Sequence, residues 1–303
     1  RIVNHETQGR SALVEMGATF GGVPRVINSL LAFVNHIISV GVVDLHQYAG
    51  FSGGAQTVAT GCTGEETIKE LYSVSFIEKS NAAPGKIKGN LFQEALWEIV
   101  EPLPFDFSVN LILNDRGEVV VMEAGDPMSV HAKVVEEAEK RFIADFEAGF
   151  DIAFIGVPSP KDQSLYQATR AATYQALVER SALRKDAVIN LYCTTPEGFG
   201  KSIFEKRFKD RLTKMPNPPA VLLSMMGKNT LPGEQRAYVT AKTMLNNPIN
   251  LVGSSIEQEE LVKAHFMSMP AVTKTMEAQD VRALVIKDGT RRIARLKDKR
   301  AED

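Results

Sequence analysis

Cysteine is nearly absent: the 303 residues contain two, Cys62 and Cys193. Two thiols cannot build a disulfide framework, which points to a reducing compartment, the cytoplasm. Long apolar runs are missing as well. Crossing a bilayer takes roughly 18–20 consecutive apolar residues, and the longest stretch, Val34 to Val43, is broken by Asn35, His36, Ser39 and Gly41. Nor is there an excess of either charge. With 35 Lys and Arg against 37 Asp and Glu, the net charge is −2, which gives no footprint for nucleic acid or an anionic membrane. The basic end, Arg291-Arg292 through Lys297-Asp298-Lys299-Arg300, is interleaved with acids and is expected to be a solvated terminus. His5, His36, His131 and His265 show no ligand spacing. Zinc, haem, dinucleotide and P-loop signatures are all lacking.

What is present is length and alternation. A chain of 303 residues with 44% hydrophobic content can support two cores. Apolar runs alternate with amphipathic stretches, as in βαβ units. The expected fold is α/β with two domains, each a mostly parallel sheet flanked by helices, and a ligand cleft between them. Residues 1–128 form the first domain and 129–303 the second, with the hinge in or beside a helix that begins at Asp126-Pro127. Arg1 to His5 read as a strand already under way, so an upstream piece is expected to precede them.

In the first domain Thr63-Gly64-Glu65-Glu66 has capping-box spacing and should open a helix through Ile68 and Leu71. Phe107–Leu113 and Val119–Met122 flank Asn114-Asp115-Arg116-Gly117, the chemistry of a hairpin turn. Asp126 is an N-cap with Pro127 at the first helical position, and Val130, Val134, Ala138 and Phe142 follow at helical spacing. Trp97 is expected in the core. In the second domain strands are expected at Ile152–Val157, Ala187–Cys193, Ala220–Met225, Ile249–Val252 and Ala283–Lys287. Helices are expected at Asp162–Arg180, Ile203–Leu212, Pro232–Leu245 and Ile256–Phe266. In a doubly wound parallel sheet, ligands gather at the carboxyl ends of the strands.

Three stretches could carry chemistry. The first is Asp44-Leu45-His46 followed by Gly50-Phe51-Ser52-Gly53-Gly54, an imidazole beside a glycine loop. Exposed N–H groups in such a loop can cradle a phosphate or carboxylate, and a histidine near neutrality can shuttle a proton. Glycine turns after strands are nevertheless common as packing features. The second runs from Pro158 to Arg170. Gln167 and Arg170 lie three apart on one helical face, and Arg170 can grip a carboxylate in a bidentate fork; a solvated helix face has the same spacing. The third, Cys193 to Gly200, suits a lid or binding loop, with Cys193 as a buried small residue rather than a nucleophile.

Together these stretches resemble the nickel-dependent lactate racemase family. Asp44-Leu45-His46-Gln47-Tyr48-Ala49-Gly50-Phe51-Ser52-Gly53-Gly54 is similar to its E-P-H-x-x-x-G-F-S-G-G-R-K-S signature. Gly85 to Glu94 is similar to G-x-x-x-G-N-P-x-x-E. Phe107 to Asn114, Ala124-Gly125-Asp126-Pro127 and His131 resemble the next motif, and Asp162-Gln163-Ser164-Leu165-Tyr166-Gln167-Ala168 resembles D-Q-N-L-Y-Q-A.

The resemblance implies a racemase or epimerase of a 2-hydroxy acid or sugar acid. A nickel pincer nucleotide accepts and returns the substrate hydride, and a histidine takes the hydroxyl proton. It assigns His46 as catalytic and Tyr166, Gln167 and Arg170 as substrate-binding, with Arg170 in place of a lysine. Gly50, Ser52, Gly53, Gly54, Gln56 and Tyr72 fall on cofactor-binding positions. Here the sequence departs from the family, because Gln56 replaces the lysine that attaches the cofactor and Tyr72 the histidine that ligates nickel. A glutamine cannot make the covalent link and a phenol is a poor nickel ligand. The implied cofactor is therefore expected to be noncovalent or absent, with no metal held by the chain itself. The second catalytic histidine belongs to the upstream stretch. Three readings follow: a hydroxy-acid isomerase with altered cofactor binding, a metal-independent family member, or an inactive carboxylate-binding protein. All three take a small carboxylate as partner.

Overall fold

Residues 2–8, 12–228, 230–267 and 280–298 are described by the computed structural model, and the chain divides into two units, Arg1–Arg141 and Phe142–Asp303. The sequence boundary at 128/129 and the contact boundary at 141/142 fall just inside the two ends of one long helix, Pro127–Phe142. Among the described residues no helix is long and apolar enough to cross a membrane.

The first unit opens with Ile2 to Glu6 in no regular structure, where a strand was expected. The antiparallel pair β1 (Leu13–Ala18) and β2 (Pro24–Asn28) follows, then the short helix α1 (Ser29–Ala32). Strand β3 (Ile37–Val42) leads to the two-residue strands β4 (Leu45–His46) and β5 (Gly50–Phe51). Four helices come next: α2 (Ala55–Ala59), α3 (Glu65–Leu71), α4 (Val74–Lys79) and α5 (Leu91–Val100). The expected capping box of α3 does not form. Gly64 is its N-cap, and Thr63 instead donates its hydroxyl back to Ala59 O at 2.7 Å.

Strands β6 (Phe105–Leu113) and β7 (Val119–Gly125) form the expected hairpin, and Asn114 Oδ1 accepts from the N–H groups of Arg116 and Glu118. β6 also runs parallel to β3, giving the order β3-β6-β7. Helix α6 (Pro127–Phe142) starts where expected: Asp126 Oδ1 accepts from Ser129 N at 2.9 Å, and Val130, Val134, Ala138 and Phe142 are buried. The two faces of this sheet are inverted relative to the usual pattern. Ser39, Ser108 and Asn110 point inward, while Ile38, Val40, Val42, Phe107 and Met122 are exposed. Alternation along a strand forces this choice, since polar residues needed on one side put their neighbours on the other.

The second unit adds β8 (Ile143–Phe146), β9 (Phe150–Gly156), α7 (Leu165–Leu177), β10 (Leu183–Tyr192) and α8 (Ile203–Thr213). Then come α9 (Pro218–Met225), α10 (Glu234–Met244), β11 (Ile249–Val252), α11 (Gln258–Lys263), β12 (Ala283–Ile286) and β13 (Ile293–Leu296). A fully parallel sheet in the order β11-β10-β9-β12 is the core, and β13 pairs in parallel with β8. Two expectations are corrected. Ala220–Met225, read as a strand, lies in α9: Asn217 caps it by accepting from Ala220 N at 2.9 Å, and Pro218 and Pro219 pre-set its first turn. A short apolar run is ambiguous between the two states until its cap is known. The basic end is not a solvated terminus either. Ile293 and Ala294 are buried, Arg295 holds Asp145 through two bonds, and Lys297 pairs with Glu147. Lys299 and Arg300 lie outside the described residues.

Candidate functional site

The loop from Asp44 to Gly54 is held from every side by residues of the later motifs. Asn90 Nδ2 donates to Tyr48 O (2.8 Å) and Lys86 O (2.9 Å), while its Oδ1 caps α5. Asn110 Oδ1 accepts from Gly54 N at 2.9 Å, and His131 Nε2 donates to Ser52 O at 3.1 Å. The glycines are there for contact with protein. A Cβ on Gly50 would sit 2.0 Å from Lys86 O, and one on Gly54 would sit 2.7 Å from the His131 ring. Both also have positive φ, at 78° and 51°, where only glycine is unstrained.

This corrects the picture of an exposed cradle. Gly50, Gly53 and Gly54 are buried. Ser52 N donates to Asp44 O, Gly54 N to Asn110, and Gln56 N to Gly53 O. The Ser52 hydroxyl donates to Val42 O and accepts from Asp44 N. His131 and Asn110 were not singled out as site residues by their chemistry; the signal was their place in the motifs. Burial pushes the His131 imidazole below its ordinary value, opposed by its bond to Ser52.

What the loop presents is His46. Its Nδ1 accepts the N–H of Ala49 at 2.9 Å and that of Tyr48 at 3.3 Å, so the neutral ring carries its proton on Nε2. The carboxamide of Gln56, 9% exposed in the first turn of α2, lies against that nitrogen, 3.2 Å from Gln56 Nε2. An imidazole cannot accept at both nitrogens and stay neutral. The Gln56 carboxamide therefore turns its oxygen to His46 Nε2–H, an assignment that rests on the hydrogen-bond network. As placed, Gln56 Oε1 is buried without a partner. Tyr48 and Phe92 stand 5.9 and 6.2 Å from the His46 ring, and Tyr72 packs edge-on against both, at 5.7 and 5.2 Å.

The residues present do not fit a covalently attached nickel pincer nucleotide. The position that the resemblance gave to attachment is an amide bonded to His46, the one it gave to the nickel ligand is a phenol wedged between two aromatic rings, and the loop N–H groups named above are taken. Among the described residues no three His, Cys, Asp or Glu side chains are grouped to hold a metal ion. Elsewhere in the first unit a cavity of about 390 Å³ is lined by Trp97, Glu98, Phe105, Asp126 and Met128. Trp97 is thus half-buried at a cavity wall, not in the core as expected.

In the second unit Tyr166, Gln167 and Arg170 sit half-buried in the first turns of α7, after the carboxyl end of β9. The Tyr166 ring meets Phe208 edge-on at 5.5 Å. The Cys193–Gly200 stretch is tethered to the loop before α7, with Thr195 N donating to Asp162 O and Leu165 N to Gly198 O. Burial pushes the Cys193 thiol up to about 12, which rules it out as a nucleophile near neutral pH.

Residues 1–85 match the model of the lactate racemase N-terminal domain. A lactate racemase of Lactiplantibacillus plantarum is 24% identical over 298 residues, 95% of this chain and 68% of that protein. The chain is similar to lactate racemases along nearly its whole length. A lactate racemase of Thermoanaerobacterium thermosaccharolyticum is 23% identical over 98% of this chain and 70% of its own length. The fold is that of the lactate racemase apoprotein of the same organism, with a TM-score of 0.88 at 20% identity, covering 96% of this chain and 70% of that one. A Thermotoga maritima protein superposes with a TM-score of 0.71 at 14% identity, covering 97% of this chain and 78% of that one.

Proposed function

We propose that this chain works on a small 2-hydroxy acid in a racemase- or epimerase-type reaction, with His46 handling the oxygen on C2. The observation that carries this is the clamp on the imidazole: with Nδ1 accepting two backbone N–H groups, Nε2–H is the ring position that can turn from the Gln56 carboxamide to a substrate oxygen. A reaction through a transient 2-keto acid needs a donor to the keto oxygen, an acceptor for the hydroxyl proton and an acceptor for the C2 hydride, which a noncovalently bound cofactor would supply. His46 as held fills the first role, a neutral donor to an oxygen that gains charge as C2 is reduced. This differs from the base role that the resemblance implied. To act as a base at Nε2, the ring would have to move its proton to Nδ1, against the Ala49 and Tyr48 N–H groups.

Tyr166, Gln167 and Arg170 are the proposed contacts of the substrate, Arg170 meeting the carboxylate through its fork. Gln56 closes the position of covalent attachment, so cofactor binding is noncovalent or altered, and the role of His46 does not depend on it.

The test is chiral chromatography of D-lactate and L-lactate incubated separately with the chain purified after co-expression with the pincer-nucleotide biosynthetic enzymes. Conversion of either enantiomer, lowered about 10²–10³-fold in His46→Ala, is the expected result. The closure by Gln56 and Tyr72 favours a second reading, a carboxylate-binding protein without turnover. For that reading the outcome is a lactate-dependent rise in melting temperature with no conversion.

A further inference from the structure

Helix α10 carries an arginine that no carboxylate among the described residues neutralises. Arg236 is 4% exposed, yet among the described residues it makes no ion pair. Its Nη1 lies 3.4 Å from Thr173 Oγ1, a long bond, its Cζ stands 5.9 Å from the Tyr166 ring centroid, and its Nε has no partner. The nearby acids are engaged. Glu234 pairs with Arg211 at 2.8 Å and accepts from Leu231 N, while Glu205 accepts from Ser164 Oγ and Ser202 N. A guanidinium is a permanent cation, and burying one without a counter-charge is among the costliest arrangements in a protein interior. An aromatic face and one neutral hydroxyl compensate only part of that cost.

The groups around it share a face. Tyr166, Arg170 and Thr173 follow one another at i, i+4 and i+7 on α7, so the helix that Arg236 packs against presents a second guanidinium between its two contact points. The half-buried Tyr166 hydroxyl and Gln167 carboxamide make no side-chain hydrogen bond among the described residues, which leaves donors beside the charge.

We infer that Arg236 is an anion-binding residue and that this face of α7 takes a small carboxylate, with the buried guanidinium as its principal counter-charge. Planar carboxylate matches the guanidinium fork through two parallel bonds, and the ligand supplies the charge that the fold leaves out. The identity of the carboxylate as a 2-hydroxy acid rests on the proposed function; the anion site itself does not.

The test uses the intact chain, with sodium lactate as probe and sodium phosphate as the comparison anion. Lactate at about 100 times its Kd should raise the melting temperature by about 5–10 °C. Arg236→Met should abolish that rise and, having lost an uncompensated charge, melt higher than the wild type without ligand. Arg236→Lys should keep part of the rise. If Arg236→Met melts lower and still responds to lactate, the arginine is structural and the inference is overturned. The same holds if no anion stabilises the wild type. A rise lost in Arg170→Met but kept in Arg236→Met leaves the proposed function standing and removes Arg236 from it. A response to phosphate and not lactate, abolished in Arg236→Met, keeps the anion site and sinks the hydroxy-acid reading. Should Arg236→Met fail to fold, the Nε–H resonance of Arg236 in the unaltered chain, assigned with Arg236→Lys, decides. It must move on addition of the stabilising anion, and a stationary signal overturns the inference.

Discussion

Gln56 Nε2 lies 3.2 Å from His46 Nε2, so the residue to which the resemblance gave the attachment position sits against the imidazole proposed to handle the substrate oxygen. A lysine there would bring a cation to the ring; the glutamine brings a neutral amide that can accept the Nε2 proton. This contact and the two backbone N–H groups at Nδ1 together specify one tautomer. Nitrogen NMR of histidine-labelled protein should show His46 with a protonated Nε2 and an unprotonated Nδ1. The opposite pattern would mean that the Ala49 N–H does not point at the ring.

Removing that amide should alter the ring's setting without unfolding the unit. Gln56→Met keeps length and burial but removes the acceptor of the His46 Nε2 proton, so stability should fall by about 1–3 kcal/mol. Any lactate conversion should fall in the same variant. Chemical denaturation and the chiral assay measure the two effects separately.

Gly54 has no room for a side chain. Gly54→Ala would push a methyl to 2.7 Å from the His131 ring, at a φ of 51°. Overpacking and strain together should cost about 2–4 kcal/mol, read from the urea midpoint. Gly117→Ala is the control: that glycine also has positive φ, at 79°, but its Cβ would meet nothing within 4 Å. It should lose clearly less.

His131 links stability to pH. Burial holds its folded pKa below the ordinary 6.5, so the unfolded chain binds the proton more readily. The stability that the neutral ring contributes is present above about pH 6.5 and is lost as pH falls through the folded value. Denaturation at several pH values should show this decline, and His131→Gln should flatten it while lowering stability at neutral pH.

Cys193 should be silent in the native state. With its thiol raised to about 12 by burial, first, and by the charge of Asp162, it should resist iodoacetamide at pH 8 until the chain unfolds. Peptide mass spectrometry of native and urea-treated samples separates the two cases.

The sequence by itself determined the local elements whose signals are self-contained. Asp126-Pro127 starts a helix because cap and first turn are neighbours, and the Asn114 turn closes a hairpin because the side chain bonds its own backbone. The alternation of apolar and amphipathic stretches was sufficient to indicate parallel α/β layers in the second unit. The motifs that resemble the lactate racemases marked His46 and its loop. Only the tertiary structure decided what those residues face. The glycine loop was legible as glycines but not as a packed turn, since its partners Asn90, Asn110 and His131 lie 42 to 79 positions away from the loop atoms they hold. Arg236 carried no pattern at all in the chain, because an unneutralised charge is defined by the carboxylate that is not beside it, and that is a fact of long-range packing. Short-range propensity fixes backbone state over a few residues, while hydrogen-bond satisfaction and charge compensation depend on which distant segments the fold brings together.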